Sequence, residues 1–80
     1  MYVVYILYSE SRDRYYVGHT ADLSDRLARH NGGRSLSTKS GIPWKVVHIE
    51  EFNSKSEAYE RELRIKKMKS RKYIEKLVKL

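Results

Sequence analysis

Tyr15-Tyr16-Val17-Gly18-His19-Thr20, with the run that follows to Arg26 and His30, decides the reading of this chain. Residues 15–18 have strand composition, Gly18 reads as a break where the backbone turns, and a helix is predicted to start near Thr20 to Asp22. Arg26 and His30 stand four residues apart, so a helix carries both on one face. The segment is therefore predicted to bring the Tyr16 phenol, a guanidinium and an imidazole to one end of a strand. No other stretch gathers reactive side chains so tightly.

Upstream, residues 2–8 are β-branched, aromatic or aliphatic throughout, which predicts a strand buried on both faces. Val3, Tyr5 and Leu7 share one face; Tyr2, Val4, Ile6 and Tyr8 share the other. The polar run Ser9 to Arg14 suits a hairpin loop, so the two strands should pair antiparallel, with Tyr5 and Tyr16 as candidate cross-strand neighbours.

Downstream, Leu23 and Leu27 give the first helix its apolar stripe, and His30-Asn31-Gly32-Gly33 should end it. Residues 31–42 are rich in Gly, Ser, Thr and Lys without periodicity, which marks a long loop, either functional or disordered. Pro43 opens a third strand running to about Phe52. Ser54-Lys55-Ser56-Glu57 is a capping box for a second helix to about Met68. Ser70 is a candidate cap for a third, continuing to the C-terminus with Tyr73, Ile74, Leu77 and Val78 as its apolar stripe. The order ββαβαα predicts one α+β domain over residues 1–80, a small three-stranded antiparallel sheet flanked by helices.

Seventeen Lys and Arg oppose ten Asp and Glu, a formal net charge of +7. That balance favours a polyanionic partner, nucleic acid before a membrane, because no helix pairs a basic face with a bulky apolar one. The eight apolar residues at the start are too few to span a bilayer, and there is no cysteine for a disulfide or thiolate metal site. A cytoplasmic protein is the expectation; nothing in the sequence sets an oligomeric state. Basic residues crowd Lys66-Lys67-Met68-Lys69-Ser70-Arg71-Lys72. Lys66, Lys67, Lys69 and Lys72 are candidate phosphate contacts, set against the plainer reading of solvated helix faces.

In the second helix, Ala58, Glu62 and Ile65 fall at i, i+4 and i+7, so Glu62 lies on the stripe expected to be buried. A buried carboxylate costs several kcal/mol, on the order given for uncompensated charge, unless a cation or metal meets it. An ion pair with Arg26 is the structural alternative. Arg26, His30, His19, Tyr5 and Tyr16 each have an ordinary explanation too, as helix surface, helix cap, turn or core rim.

As a set these residues resemble a known family. Val3-Val4-Tyr5 and Tyr16-Val17-Gly18 are similar to the two halves of the GIY-YIG nuclease signature, with both tyrosines in place. The first half here lacks the Gly and the Ile. Arg26 stands where the family has its catalytic arginine, His30 follows at the family's spacing, and Glu62 occupies the position of its metal-binding glutamate. The resemblance extends over nearly the whole chain and is nearest to small stand-alone bacterial members.

It implies a divalent-metal-dependent endonuclease that hydrolyses phosphodiester bonds in DNA, in repair or recombination. One Mg²⁺ or Mn²⁺ ion would bind Glu62, Arg26 would hold phosphate oxygens, and Tyr5 would be the general base. A phenol near pKa 10 is a poor base at pH 7, so Arg26 and the metal would have to favour its anion. Tyr16 would position water or phosphate, His30 would orient Tyr5 or bind phosphate, and His19 belongs with the substrate contacts. Many relatives carry an asparagine beyond the last helix, whereas no Asn occurs here after Asn53. That departure keeps a second function in view, a nucleic-acid-binding module with this fold and little cleavage. A third is a basic domain that binds an acidic protein.

Overall fold

The computed structural model describes residues 1–79. Strand β1 (Tyr2–Ser9) is the middle of a three-stranded antiparallel sheet, with β2 (Arg14–Thr20) and β3 (Trp44–Phe52) at the edges. Helix α1 (Leu23–Asn31) follows β2, and α2 (Lys55–Lys67) and α3 (Arg71–Lys79) follow β3. The order is the α+β arrangement ββαβαα that the hydrophobic patterns predict. The expected continuation of α3 to Leu80 lies outside the described residues.

Strand β1 has neighbours on both edges and both faces, which explains its unbroken apolar run. Val4 and Ile6 pack with Val17, Ala58 and Ile65, and this cluster is covered by Tyr73, Ile74, Leu77 and Val78 of α3. On the opposite face Tyr5 and Leu7 pack with Trp44, covered by Tyr16, Leu23, Leu27, Ile42 and Val46. Helices α2 and α3 thus hold one face and α1 the other. Each large aliphatic side chain so buried contributes about 1.5–3 kcal/mol.

Several local expectations change. Gly18 does not turn the chain; β2 runs through it to Thr20, and Gly18 pairs with Tyr5. Its use is steric. A Cβ at Gly18 would sit 2.5 Å from the Tyr5 Oη and 2.7 Å from Cζ, so only glycine lets the Tyr5 ring lie across β2. Tyr16 pairs with Leu7 rather than Tyr5, making the two tyrosines diagonal neighbours on one face, ring centroids 6.4 Å apart. Gly18→Ala should cost about 1–3 kcal/mol by overpacking. Thermal unfolding would show it, and an unchanged melting temperature would contradict this reading of Gly18.

The helix ends follow their chemistry. Asp22 caps α1, its carboxylate accepting from the Asp25 N–H at 3.0 Å. Helix α1 stops at Gly32, and the left-handed residue comes one later, at Gly33 with φ +76. Ser54 accepts from the Glu57 N–H at 3.2 Å and donates to the Glu57 carboxylate at 2.9 Å, a variation on the expected capping box. Ser70 Oγ accepts from the Tyr73 N–H at 3.1 Å at the start of α3.

The long loop after α1 is tied down. The Asn31 side chain accepts from the Trp44 N–H at 2.6 Å and donates to the Trp44 carbonyl at 3.0 Å. The Trp44 indole N–H donates to the Thr38 carbonyl at 2.7 Å. Disorder is therefore not its fate; it delivers Thr38, 1% exposed, to the underside of α1.

Candidate active site

Side-chain direction alternates along β2, so Tyr16 and Gly18 face α1 while Val17 and His19 face α2. Because β2 is an edge strand, groups from both faces can meet around it. Tyr5, Tyr16, Arg26 and His30 come from the α1 side; His19 and Glu62 come from the α2 side.

On the α1 side, the Tyr5 hydroxyl is 3.1 Å from His30 Nε2, and His30 Nδ1 is 2.7 Å from Thr38 Oγ1. Thr38 Oγ1 has a single proton and donates it to the Ser35 carbonyl at 3.4 Å. With that proton so placed, His30 Nδ1 is assigned as the donor to Thr38. Burial, then the charges of Arg26 and Arg29, push the His30 pKa below its ordinary value, which favours the neutral ring. In that form Nε2 is the acceptor and Tyr5 donates to it. Thr38, which no sequence pattern singled out, thus fixes the tautomer of His30; only its place in a structured loop reveals it.

Burial pushes the Tyr5 phenol up to about 12, and Tyr16 adds to the rise. Arg26 pulls the other way and Glu62 adds a smaller push upward. The Tyr16 ring meets the His30 ring edge-on, centroids 5.0 Å apart, and packs on Trp44 at 6.3 Å. Arg26 is half-buried on α1, and its Nε is buried without a hydrogen-bond partner. An orphaned buried donor is costly, by about 1–3 kcal/mol, and such groups call for an explanation. Arg26 lines a cleft of about 560 Å³ with Tyr2, His19, Thr20, Asp22, Asp25 and Lys55.

On the α2 side, Glu62 is 8% exposed. Its two oxygens are held by His19 Nδ1 at 2.6 Å and by the Lys66 ammonium at 2.6 Å, not by Arg26. Burial alone would raise its pKa, but these two partners outweigh that and hold the carboxyl below its usual range. Lys66 is half-exposed, with its Nζ 5.9 Å from the centre of the Tyr16 ring, so it bridges the two sides. Lys66 and Lys69 also line a groove with Tyr15, Tyr16 and Arg71. Lys67 is exposed at the last turn of α2, and Lys72 lines a separate groove on α3 with Lys76 and Lys79. The basic cluster is therefore divided, one part beside the tyrosines and one part remote. Arg61 and Arg71 are taken by the structural pairs Arg61–Glu50 at 2.7 Å and Arg71–Asp13 at 2.6 Å.

Among the described residues no group of three or more His, Cys, Asp or Glu could cage a metal. A single carboxylate suits Mg²⁺, which keeps most of its waters and takes other ligands from substrate phosphate. Glu62 fits that role if the half-exposed Lys66 ammonium gives way. Among the described residues no helix is long and apolar enough to cross a membrane.

The sequence matches the family described as the GIY-YIG catalytic domain over residues 1–74. It is 42% identical over 69 residues to a UPF0213 protein of Halobacterium salinarum, covering 85% of this chain and 88% of that one. It is 48% identical over 55 residues to a UPF0213 protein of Listeria welshimeri, covering 68% of this chain and 61% of that one. The NMR solution structure of a UPF0213 protein from Bacillus halodurans superposes with a TM-score of 0.61 at 33% identity, covering 99% of this chain and 84% of that one.

Proposed function

The chain belongs to the GIY-YIG catalytic domain family, and from that membership we propose that it is a divalent-metal-dependent endonuclease acting on DNA, with Tyr5, Tyr16, Arg26, His30 and Glu62 as its machinery. The observation that carries this reading is the Arg26 side chain, half-buried, lining an open cleft and close enough to Tyr5 to lower its pKa. A phosphate oxygen is the acceptor that a guanidinium fork suits best.

Arg26 then fixes the scissile phosphate and stabilises the charge of the pentavalent phosphorane. Glu62 would hold one Mg²⁺ or Mn²⁺, which when bound polarises the phosphate and neutralises the leaving oxygen. With a pKa near 12, Tyr5 is ionised at pH 7 in only about one molecule in 10⁵. A free phenolate is thus too rare, and the hydrogen bond to His30 supplies the alternative. Tyr5 takes a proton from the attacking water as its own proton passes to His30 Nε2. The imidazolium so formed lies near the negative phosphorane, which offsets its repulsion from Arg26. Tyr16 orients the water or a phosphate oxygen, and His19 holds Glu62 in place.

Supercoiled, linear, branched and single-stranded DNA, each with Mn²⁺, Mg²⁺ or EDTA, test the reading. Metal-dependent strand scission of at least one is expected; binding without scission would favour the second reading, a module that holds nucleic acid without cutting it. That reading has its own support, since both Glu62 oxygens are occupied by side chains of the same chain. A role in repair or recombination is part of the proposal for the nuclease alone.

Binding should also be salt-sensitive. Each phosphate neutralised by Lys or Arg takes about 0.9 off the slope of log affinity against log salt on duplex DNA. Replacing Lys66, Lys67, Lys69 and Lys72 with Gln should flatten that slope, and most of the change should come from Lys66 and Lys69. An unchanged slope would move the binding surface elsewhere.

A further inference from the structure

Tyr59 lies three residues before Glu62 on α2 and is 48% exposed. Its ring meets the His19 imidazole edge-on, centroids 5.5 Å apart, and it belongs to neither core cluster. It lines a cavity of about 560 Å³ with His19, Lys55 and Ser56. That cavity shares His19 and Lys55 with the cleft at which Arg26 sits, so the two spaces adjoin. Along α2, Lys55, Tyr59, Glu62 and Lys66 fall at i, i+4, i+7 and i+11, one stripe roughly 16 Å long. The order along it is cation, aromatic ring, carboxylate, cation.

A lone surface tyrosine needs no explanation. This one is held by a ring contact to the residue that holds Glu62, with a lysine one turn away, in a space that adjoins the cleft Arg26 lines. A duplex hides the faces of its bases, whereas a single strand offers a base face and a phosphate at each step. An exposed ring with a cation one turn away suits the second and not the first.

We propose that Tyr59 is a stacking platform for one unpaired nucleobase of a DNA strand, next to the phosphate held at Arg26 and Glu62, with Lys55 on a flanking phosphate. The proposal rests on the nuclease-site reading above and gives that site a substrate class, DNA with an unpaired base at the cut. Stacking on aromatic side chains tolerates any base, so no sequence preference comes from Tyr59 itself.

The test measures binding of fluorescein-labelled DNA in EDTA by wild type, Tyr59→Ala and Tyr59→Phe, each shown to be folded by circular dichroism. The probes are a short single strand, the same strand with one abasic nucleotide moved along it, and the matching duplex. Tyr59→Ala should weaken single-strand binding about 5- to 150-fold, the range for removing one stacked base. Tyr59→Phe should stay near wild type, and duplex binding should be the same for all three. One abasic position should weaken wild type as much as Tyr59→Ala does, and should not weaken Tyr59→Ala further. Equal losses on single strand and duplex, or no loss at all, would overturn the proposal while leaving the nuclease site standing. Failure of wild type to bind any probe would overturn both.

Discussion

Glu62→Gln should abolish strand scission while leaving nucleic-acid affinity close to wild type. The amide keeps the shape of the carboxylate but loses the charge that would hold a divalent cation. In the folded chain this carboxylate accepts from His19 at 2.6 Å and from Lys66 at 2.6 Å. The amide oxygen can still accept from one of them, and half-exposed Lys66 is free to turn into solvent. One charge-assisted hydrogen bond is lost and a partly buried charge is removed, two effects of opposite sign. The net cost should be within about 1 kcal/mol, a fall in melting temperature of no more than about 8 °C for a domain of this size. Mn²⁺ should raise the melting temperature of wild type and not that of Glu62→Gln. If Glu62 serves only to pair with His19 and Lys66, metal will change the melting temperature of neither protein.

Tyr5→Phe should slow turnover by roughly two to four decades, the loss typical of a general base. The ring stays, so packing against Leu7, Trp44 and the open face of Gly18 survives. What goes is the hydroxyl donating to His30 Nε2. Tyr16→Phe should cost less, because Tyr16 is argued only to orient. The pH profile separates two versions of the chemistry. If His30 receives the proton, activity requires neutral His30. Since burial and two arginines lower its pKa, log rate should be level above the ordinary imidazole range and fall one unit per pH unit only in more acid solution. If a free phenolate were the base, its pKa near 12 would make log rate climb across pH 7 to 9 instead. Near-normal cleavage by Tyr5→Phe would remove Tyr5 from the mechanism, and a larger loss in Tyr16→Phe would transfer the role there.

The architecture was legible because its signals are periodic and local. The apolar run of β1, the caps Asp22, Ser54 and Ser70, and the stripe of Ala58, Glu62 and Ile65 each point to one element. Contacts that depend on register and loop path were not legible. Gly18 reads as a turn in sequence because its partner, the Tyr5 ring, comes from another strand. Thr38 lies in a stretch with no period, so its place under His30 depends on Trp44 and Asn31 pinning the loop. The partner of Glu62 was misplaced for a similar reason. Arg26 is on the α1 face, whereas His19, one residue past Gly18 on the pleat, points to α2. The rise in the Tyr5 pKa needs the burial of the folded site and runs against the lowering that Arg26 alone would give.

The most direct test of the central claim is single-turnover cleavage of an end-labelled DNA by wild-type protein in excess, followed while Mn²⁺ is raised from zero against an EDTA control. The account predicts no cut strand in EDTA and a rate that rises and saturates as one class of metal site fills. Identical products with and without metal would contradict it, as would binding that remains intact with no strand cut at any Mn²⁺ concentration.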